Sequence, residues 1–237
     1  MILLVDADSM IFASCYRSNR EPDEDPFWDD VEDAKAKFDQ IYLKILGQIE
    51  DLVTVDDILT FSGSTGNFRK HLTKKYKANR INQKKPPMLG QMHRYVRDTY
   101  DSINGSGVET DDLVATYWYK ISRDAGRDSV MIVSIDKDYQ QFPALIYNYG
   151  YKHRCIYDIS EDQARYNFYE QMIAGDTADN VNYFLGKGVA FCKKYYSGCE
   201  TEYQYRRKLF ELFKRQYKSK AREKYIECYN LLKLKIL

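Results

Sequence analysis

The hydrophobic pattern opens with a short apolar run, Ile2 to Val5, that ends in a carboxylate at Asp6. Such a run without polar interruption reads as a parallel strand buried on both faces. Residues 34–52 then place Phe38, Ile41, Tyr42, Ile45, Leu46 and Ile49 at the spacing of one helix face. Ile58 to Phe61 is a second strand. Val108 to Ser122 carries acids in its first turn and apolar residues behind them, a helix. Val130 to Ile135 is a strand ending in Asp136, and Ile146 to Ile159 suggests a strand pair. Ser160, three residues before Gln163, has the spacing of a capping box and opens a helix to about Ala174. Gly175-Asp176 starts a loop. Gly186-Lys187-Gly188 forms a tight turn between helical stretches, and the tail from Tyr203 is helical.

Strands alternating with helices predict an α/β fold with a central, mostly parallel sheet flanked by helices. In open sheets of this kind ligands bind beyond the carboxyl ends of the strands. Asp6 and Asp136 both lie at such ends, so carboxylates distant in sequence would converge on one crevice.

The chain has 237 residues and a net charge of only +1, so its partners must be sought in the distribution of charge. From Gly63 to Arg97 there is no Asp or Glu, yet the segment carries Arg69, Lys70, Lys74, Lys75, Lys77, Arg80, Lys84, Lys85, Arg94 and Arg97. That is a local positive field suited to a polyanion. Residues 21–33 are the converse, eight acids and no base, and read as a solvated excursion. The five cysteines form no CxxC pair, and three histidines give no zinc-ligand spacing. The apolar start is broken at once by Asp6 and Asp8, and no stretch is long enough to span a membrane. A cytoplasmic protein with reduced thiols is expected.

Four groups of acids stand out: Asp6 with Asp8; Glu109, Asp111 and Asp112; Asp136 with Asp138; Asp176 with Asp179. Taken singly, acids at a helix start need no explanation beyond the helix dipole. Gathered together they repel one another unless cations neutralise them. An oxygen-only set without His or Cys points to Mg²⁺ or Mn²⁺. Two such ions can serve phosphodiester hydrolysis.

The segments LLVDADSM, NFRKHLTKKYKANR, GVETDDLVA, VSIDKDYQQF and AGDTADNV follow one another along the chain. In this order they resemble the motifs of bacterial and phage 5′-nucleases, the flap endonuclease and 5′→3′ exonuclease family that includes the nuclease domain of bacterial DNA polymerase I. The resemblance runs from about residue 1 to 200. It implies a PIN-like nuclease core over residues 1–160, with a basic helical arch at about 66–100. A helical region would follow over 161–237, with a DNA-binding helix–turn–helix and a C-terminal helix. It implies a first metal held by Asp6, Asp111, Asp112 and Asp136 with Glu109 nearby, and a second held by Asp138, Asp176 and Asp179. Asp6, Asp112 and Asp136, with Lys77 and Arg80 facing the scissile phosphate from one side of a helix, would be catalytic. Arg69, Lys70, Tyr76, Lys84 and Lys85 would bind the strand, Tyr76 by stacking on an unpaired base. Gly186, Lys187, Gly188, Lys193 and Lys194 would grip duplex backbone, with K⁺ at that turn. The implied partner is DNA with a 5′ end, flap or nick, or an RNA–DNA hybrid, bound by a monomer.

Two positions depart from the family pattern. Ser62 stands where an acid usually follows the second strand; either its hydroxyl would hold a metal-bound water, or metal affinity would be lower. The glycine-rich turn is reduced to NYFLGKGVA. Asp8 lies off the family's ligand positions and is expected to cap the turn after it. Two rival readings are an aspartyl-phosphate phosphatase, suggested by Asp6-x-Asp8, and a junction-binding protein with a weakened site. The first leaves the basic segment and the ETDD group unexplained; the second is opposed by seven remaining carboxylates.

Overall fold

The computed structural model describes residues 1–18, 21, 23–150 and 154–237. Pro22 of the acidic excursion and residues 151–153, within the expected strand pair, lie outside the described residues. Among the described residues the sheet has five strands: β1 (Ile2–Asp6), β2 (Asp57–Phe61), β3 (Val130–Val133), β4 (Leu145–Asn148) and β5 (Cys155–Asp158). They lie in the order β2-β1-β3-β4-β5. The first four run parallel and β5 pairs antiparallel to β4, so the sheet is mostly parallel, as the alternating pattern predicts.

The period-two alternation of strands decides which helices cover which face. Leu3 and Val5 point into one apolar layer with Met131 and Val133. Two helices supply the other side of that layer, α1 (Asp8–Ser14) and α2 (Val31–Glu50), with Phe38, Ile45 and Ile49. Leu4 and Ile132 point the other way, onto Val114 and Trp118 of α5 (Thr110–Ala125). A separate helical cluster joins α6 (Glu161–Ala174), α7 (Val189–Tyr195), α8 (Glu202–Tyr217) and α9 (Ala221–Leu232) through Phe168, Met172, Leu209, Phe213 and Leu231.

Several elements differ from the sequence expectation. Strand β3 stops at Val133, three residues before Asp136, because Ser134 turns the chain by accepting the Asp136 N–H at 3.0 Å. The acid-free segment is not a continuous helical arch. It holds a four-residue helix α3 (Arg69–Leu72), a 3₁₀ turn (Ala78–Arg80) and α4 (Leu89–Tyr100). Helix α4 is bound to the body: Met92 and Val96 are buried, and Tyr95 and Tyr100 donate to Asp39 of α2. The tail is a hairpin of two helices, reversed where Lys218 adopts φ +49°. The Gly186-Lys187-Gly188 turn leads into α7, but the chain before it, from Gly175, is irregular and not helical. Ser160 does cap α6, accepting from Gln163 N–H at 3.2 Å.

One glycine fixes the exit from α6. Gly175 has φ +80°, and a Cβ there would meet the Val181 carbonyl at 2.3 Å. That close approach lets Asp176 and Val181 exchange backbone hydrogen bonds of 2.7 Å each, which holds Asp176 at the cleft. Gly175→Ala should therefore destabilise by about 2 kcal/mol or more, seen as a lower denaturant midpoint with unchanged slope. A midpoint equal to wild type would show that the loop adapts without strain.

Candidate active site

The carboxyl ends of β1 and β3 and the start of α5 meet in one cleft. Asp6, the last residue of β1, is 7% exposed and accepts from the Tyr139 hydroxyl at 2.8 Å. Burial first, with the charges of Asp8 and Asp136 adding to it, raises its carboxyl to about 7 against the opposing Tyr139 bond. Asp138 is raised to about 8, by burial first and then by Asp136, Asp176 and Asp179. Burial also raises Asp111 well above the usual carboxylate range, with Glu109 and Asp112 adding to it. Solvent reaches Asp136, yet the protein mass around it still raises its carboxyl, helped by Asp179 and Asp176. Repulsion joins Asp6 to Asp8 and Asp136, and Asp136 to Asp138, Asp176 and Asp179; Glu109, Asp111 and Asp112 form a second group, and Lys77 stands between the two.

Cations from the chain compensate part of this charge. Lys137 lies 3.0 Å from Asp176, and that contact lowers the Asp176 carboxyl although burial opposes it. Lys77 pairs with Glu109 and lies 3.6 Å from Asp179; Arg80 reaches Asp179 at 2.8 Å. Lys77 and Arg80 do not share a helix face, as the sequence suggested. Lys77 has φ +53° before a 3₁₀ turn, and its N–H is held by the Asp179 carbonyl at 2.9 Å. Both side chains nevertheless converge on Asp179.

Three assignments change with the structure. Asp112 is wholly buried, and its four lone-pair sites accept from Arg69 (2.7 and 2.8 Å), Lys235 N–H (2.8 Å) and Glu109 N–H (3.2 Å). It has no oxygen free for a metal. Arg69 is 1% exposed and cannot reach a phosphate. Tyr76 is buried too, so its ring offers no face to a base; its hydroxyl lies 2.7 Å from both Glu109 and Asp179. Lys70, Lys85, Lys193 and Lys194 are exposed. Lys84 is exposed and pairs with Asp25 at 2.6 Å, tying the basic segment to the acidic excursion. Lys187 lies over the Phe191 ring at 4.7 Å, next to Gly186 and Gly188 at the start of α7.

Ser62 is 2% exposed and its hydroxyl bonds Ser102 at 2.7 Å, away from any role in holding water for the cleft. Asp8 does not cap its helix. Its carboxylate accepts from Gly63 N–H (2.8 Å) and the Thr110 hydroxyl (2.7 Å), so it stands between the exit of β2 and the start of α5. Sequence reasoning also missed Tyr139, Lys137 and Gln171, the last of which donates to Asp138 at 2.7 Å. Lys137 and Tyr139 sit inside the VSIDKDYQQF segment and were within reach of a close reading; nothing local marks Gln171.

Among the described residues no three carboxylates already stand at the spacing of a metal shell. The donor set still fits a hard divalent ion: it is all oxygen, and its members are held unfavourably close. Asp6, Asp111, Asp136, Asp138, Asp176 and Asp179 are the candidates to hold one.

A mostly parallel sheet with acids gathered at its carboxyl ends is the resolvase-like, PIN-type arrangement. The chain belongs to the family of the 5′→3′ exonuclease N-terminal resolvase-like domain, whose model matches residues 1–167. No curated protein matches it. Among solved structures it is similar to a lysine-to-alanine variant of bacteriophage T5 5′-exonuclease, with TM-score 0.64, 14% identity, and coverage of 97% of this chain and 86% of that one. A T5 flap endonuclease in a pseudo-enzyme–product complex with DNA and metal ions gives TM-score 0.62, 15% identity and coverage of 97% and 88%. T5 5′-exonuclease with bound zinc gives 0.63, 15%, 97% and 88%. At these identities the likeness is one of fold. No helix among the described residues is long and apolar enough to cross a membrane.

The raised carboxyls have a consequence for stability. Asp6 at about 7 and Asp138 at about 8 keep protons that the unfolded chain has released by about pH 5. The folded state thus binds more protons between these limits, and its stability falls as pH rises. In EDTA the Tm should be lower at pH 8 than at pH 5, and Mn²⁺ should raise it more at pH 8, where protons no longer compete. A Tm that rises with pH and ignores Mn²⁺ would contradict this charge distribution.

Proposed function

We propose that the protein is a divalent-metal-dependent 5′-nuclease that hydrolyses DNA phosphodiesters near free 5′ ends, as a 5′→3′ exonuclease or flap endonuclease in replication or repair. The observation that carries this reading is the gathering of seven family carboxylates beside Lys77 and Arg80 in a member of the 5′→3′ exonuclease family. DNA with a 5′ end, flap or nick is the substrate, an RNA primer on DNA a further one, and the enzyme acts as a monomer. The core is residues 1–160 and the helical region 161–237 adds the duplex grip.

Asp6, Asp111 and Asp136 hold one ion with Glu109 beside them, and Asp138, Asp176 and Asp179 hold the other, Mg²⁺ or Mn²⁺ in each case. When bound, two such ions activate the attacking water and stabilise the leaving oxygen. Lys77 and Arg80 bring fixed positive charge to the phosphate, where it counts most as negative charge develops. Tyr139 orients Asp6, and Gln171 orients Asp138. Exposed Lys70, Lys85, Lys193 and Lys194 bind phosphates away from the cleft. At the Gly186-Lys187-Gly188 turn the Lys187 N–H is held by the Phe184 carbonyl at 3.1 Å, so the glycine N–H groups would face the duplex, with K⁺ a fitting occupant there.

Cleavage of a labelled 5′-flap substrate in Mg²⁺ tests the whole reading. Asp138→Asn and Asp179→Asn should abolish cleavage and leave DNA binding largely intact. Lys77→Ala should lower the single-turnover rate about 10²-fold or more, with a far smaller change in affinity. Intact DNA binding without cleavage by the wild type would instead favour a catalytically weakened junction-binding protein, the alternative to which Ser62 lends weight.

Asp8 offers a specific answer to the acid missing at Ser62. From the first residue of α1, two past Asp6, its carboxylate accepts from the N–H of Gly63, the residue after Ser62. Asp8→Asn should raise the Mg²⁺ needed for half-maximal rate by about tenfold, while Thr110→Val, which removes only its hydroxyl partner, should not. Equal metal requirements in wild type and Asp8→Asn would leave Asp8 as a structural tie between β2 and α5.

A further inference from the structure

The chain leaving α9 runs against the back of the carboxylate cluster. Arg69 uses all five of its N–H groups there. Nε donates to the Leu231 carbonyl (3.1 Å) and Nη2 to the Lys233 carbonyl (2.9 Å). Nη1 donates to Glu109 (3.0 Å) and Asp112 (2.7 Å), and Nη2 also to Asp112 (2.8 Å). The Lys235 N–H completes Asp112 at 2.8 Å, and the Leu237 N–H donates to the Thr116 hydroxyl at 3.0 Å. These bonds attach the segment to α5, the helix whose start carries Glu109 and Asp111.

A second attachment leads elsewhere in the cleft. Gln141 accepts from Leu234 N–H (3.0 Å) and donates to the Leu232 carbonyl (3.2 Å). It ends the 3₁₀ turn Lys137–Gln141, which carries Asp138 and Tyr139 and is capped by Asp136. Leu234 is buried in the layer shared by Trp118, Phe142 and Ala164. One extended segment therefore touches both carboxylate-bearing elements, at separations of 93 and 123 residues along the chain.

We propose that residues 231–237, acting through Arg69, Asp112 and Gln141, are a positioning device that sets the start of α5 and the Asp136–Asp138 turn relative to one another for metal binding. The proposal rests on the nuclease reading above. Its physical basis is the complete satisfaction of the Arg69–Asp112 pair. A buried network with every donor and acceptor engaged is rigid, and loss of one donor leaves a lone pair unmet and frees the geometry. Groups standing behind metal ligands commonly change metal affinity or activity by 10–100-fold when altered.

The test compares two substitutions at one exposed position. Lys235→Ala keeps the backbone N–H that Asp112 accepts; Lys235→Pro removes it. Mn²⁺ affinity is read by electron paramagnetic resonance without DNA, and single-turnover flap cleavage is read at low and at saturating Mn²⁺. Lys235→Ala should match wild type. Lys235→Pro should bind Mn²⁺ about tenfold more weakly, and excess Mn²⁺ should restore much of its rate. Gln141→Met probes the same device from the other attachment, should the proline variant not fold, and should show the same shift. If the folded variants lose only Tm and bind Mn²⁺ as Lys235→Ala does, the segment merely stabilises and the proposal fails. A wild type that neither binds Mn²⁺ nor cleaves would instead remove the nuclease reading, and this inference with it.

Discussion

Repulsion among carboxylates held at the carboxyl ends of parallel strands is the constraint around which this molecule is organised. The sheet brings Asp6 and the turn after β3 together because β1 and β3 are neighbours in register. Burial first, and the neighbouring acids after it, raise Asp6 to about 7 and Asp138 to about 8. Such a cleft is costly to hold in a protein alone, and the surrounding chain shows how the cost is offset. Lys77, Arg80 and Lys137 lean into it from loops, and Arg69 is buried behind it. These cations stand on short 3₁₀ turns or just before one, and none is buried as Arg69 is. The buried Arg69 cannot be withdrawn without breaking Asp112, which marks it as architecture.

Much of this was legible in the sequence. Apolar runs located β1 with its terminal Asp6 and the start of β3, and the pattern over residues 34–52 located α2, because both signals are local and strong; the end of β3 falls short of Asp136. The gathering of acids followed from topology, once the sheet was taken as parallel. What the sequence concealed was side-chain allegiance. Arg69 and Asp112 look like their neighbours in a basic and an acidic motif, yet they bond each other across 43 residues. Tyr76 was expected to stack on a base because its place in a basic motif does not reveal that its ring is buried. Its hydroxyl is instead fixed between Glu109 and Asp179. The break at Lys218 was invisible for a different reason: a positive φ at a lysine has no composition signature, and only the packing of α8 on α9 imposes it.

These allegiances change how the positive charge should be counted. The segment from Gly63 to Arg97 reads as ten cations facing a polyanion. Arg69, Lys77, Arg80, Lys84 and Arg97 are already paired with acids of the chain itself. The field available to a nucleic acid thus comes mainly from the exposed Lys70, Lys74, Lys75, Lys85 and Arg94, together with Lys193 and Lys194 of α7. The internal pairs add selectivity rather than attraction. A strand reaching the cleft must compete with Glu109 and Asp179 for Lys77 and Arg80. Divalent ions on those carboxylates would loosen that hold and leave the cations to a phosphate. On the proposed nuclease reading, metal occupancy and phosphate engagement would be coupled through the same two side chains, each favouring the other.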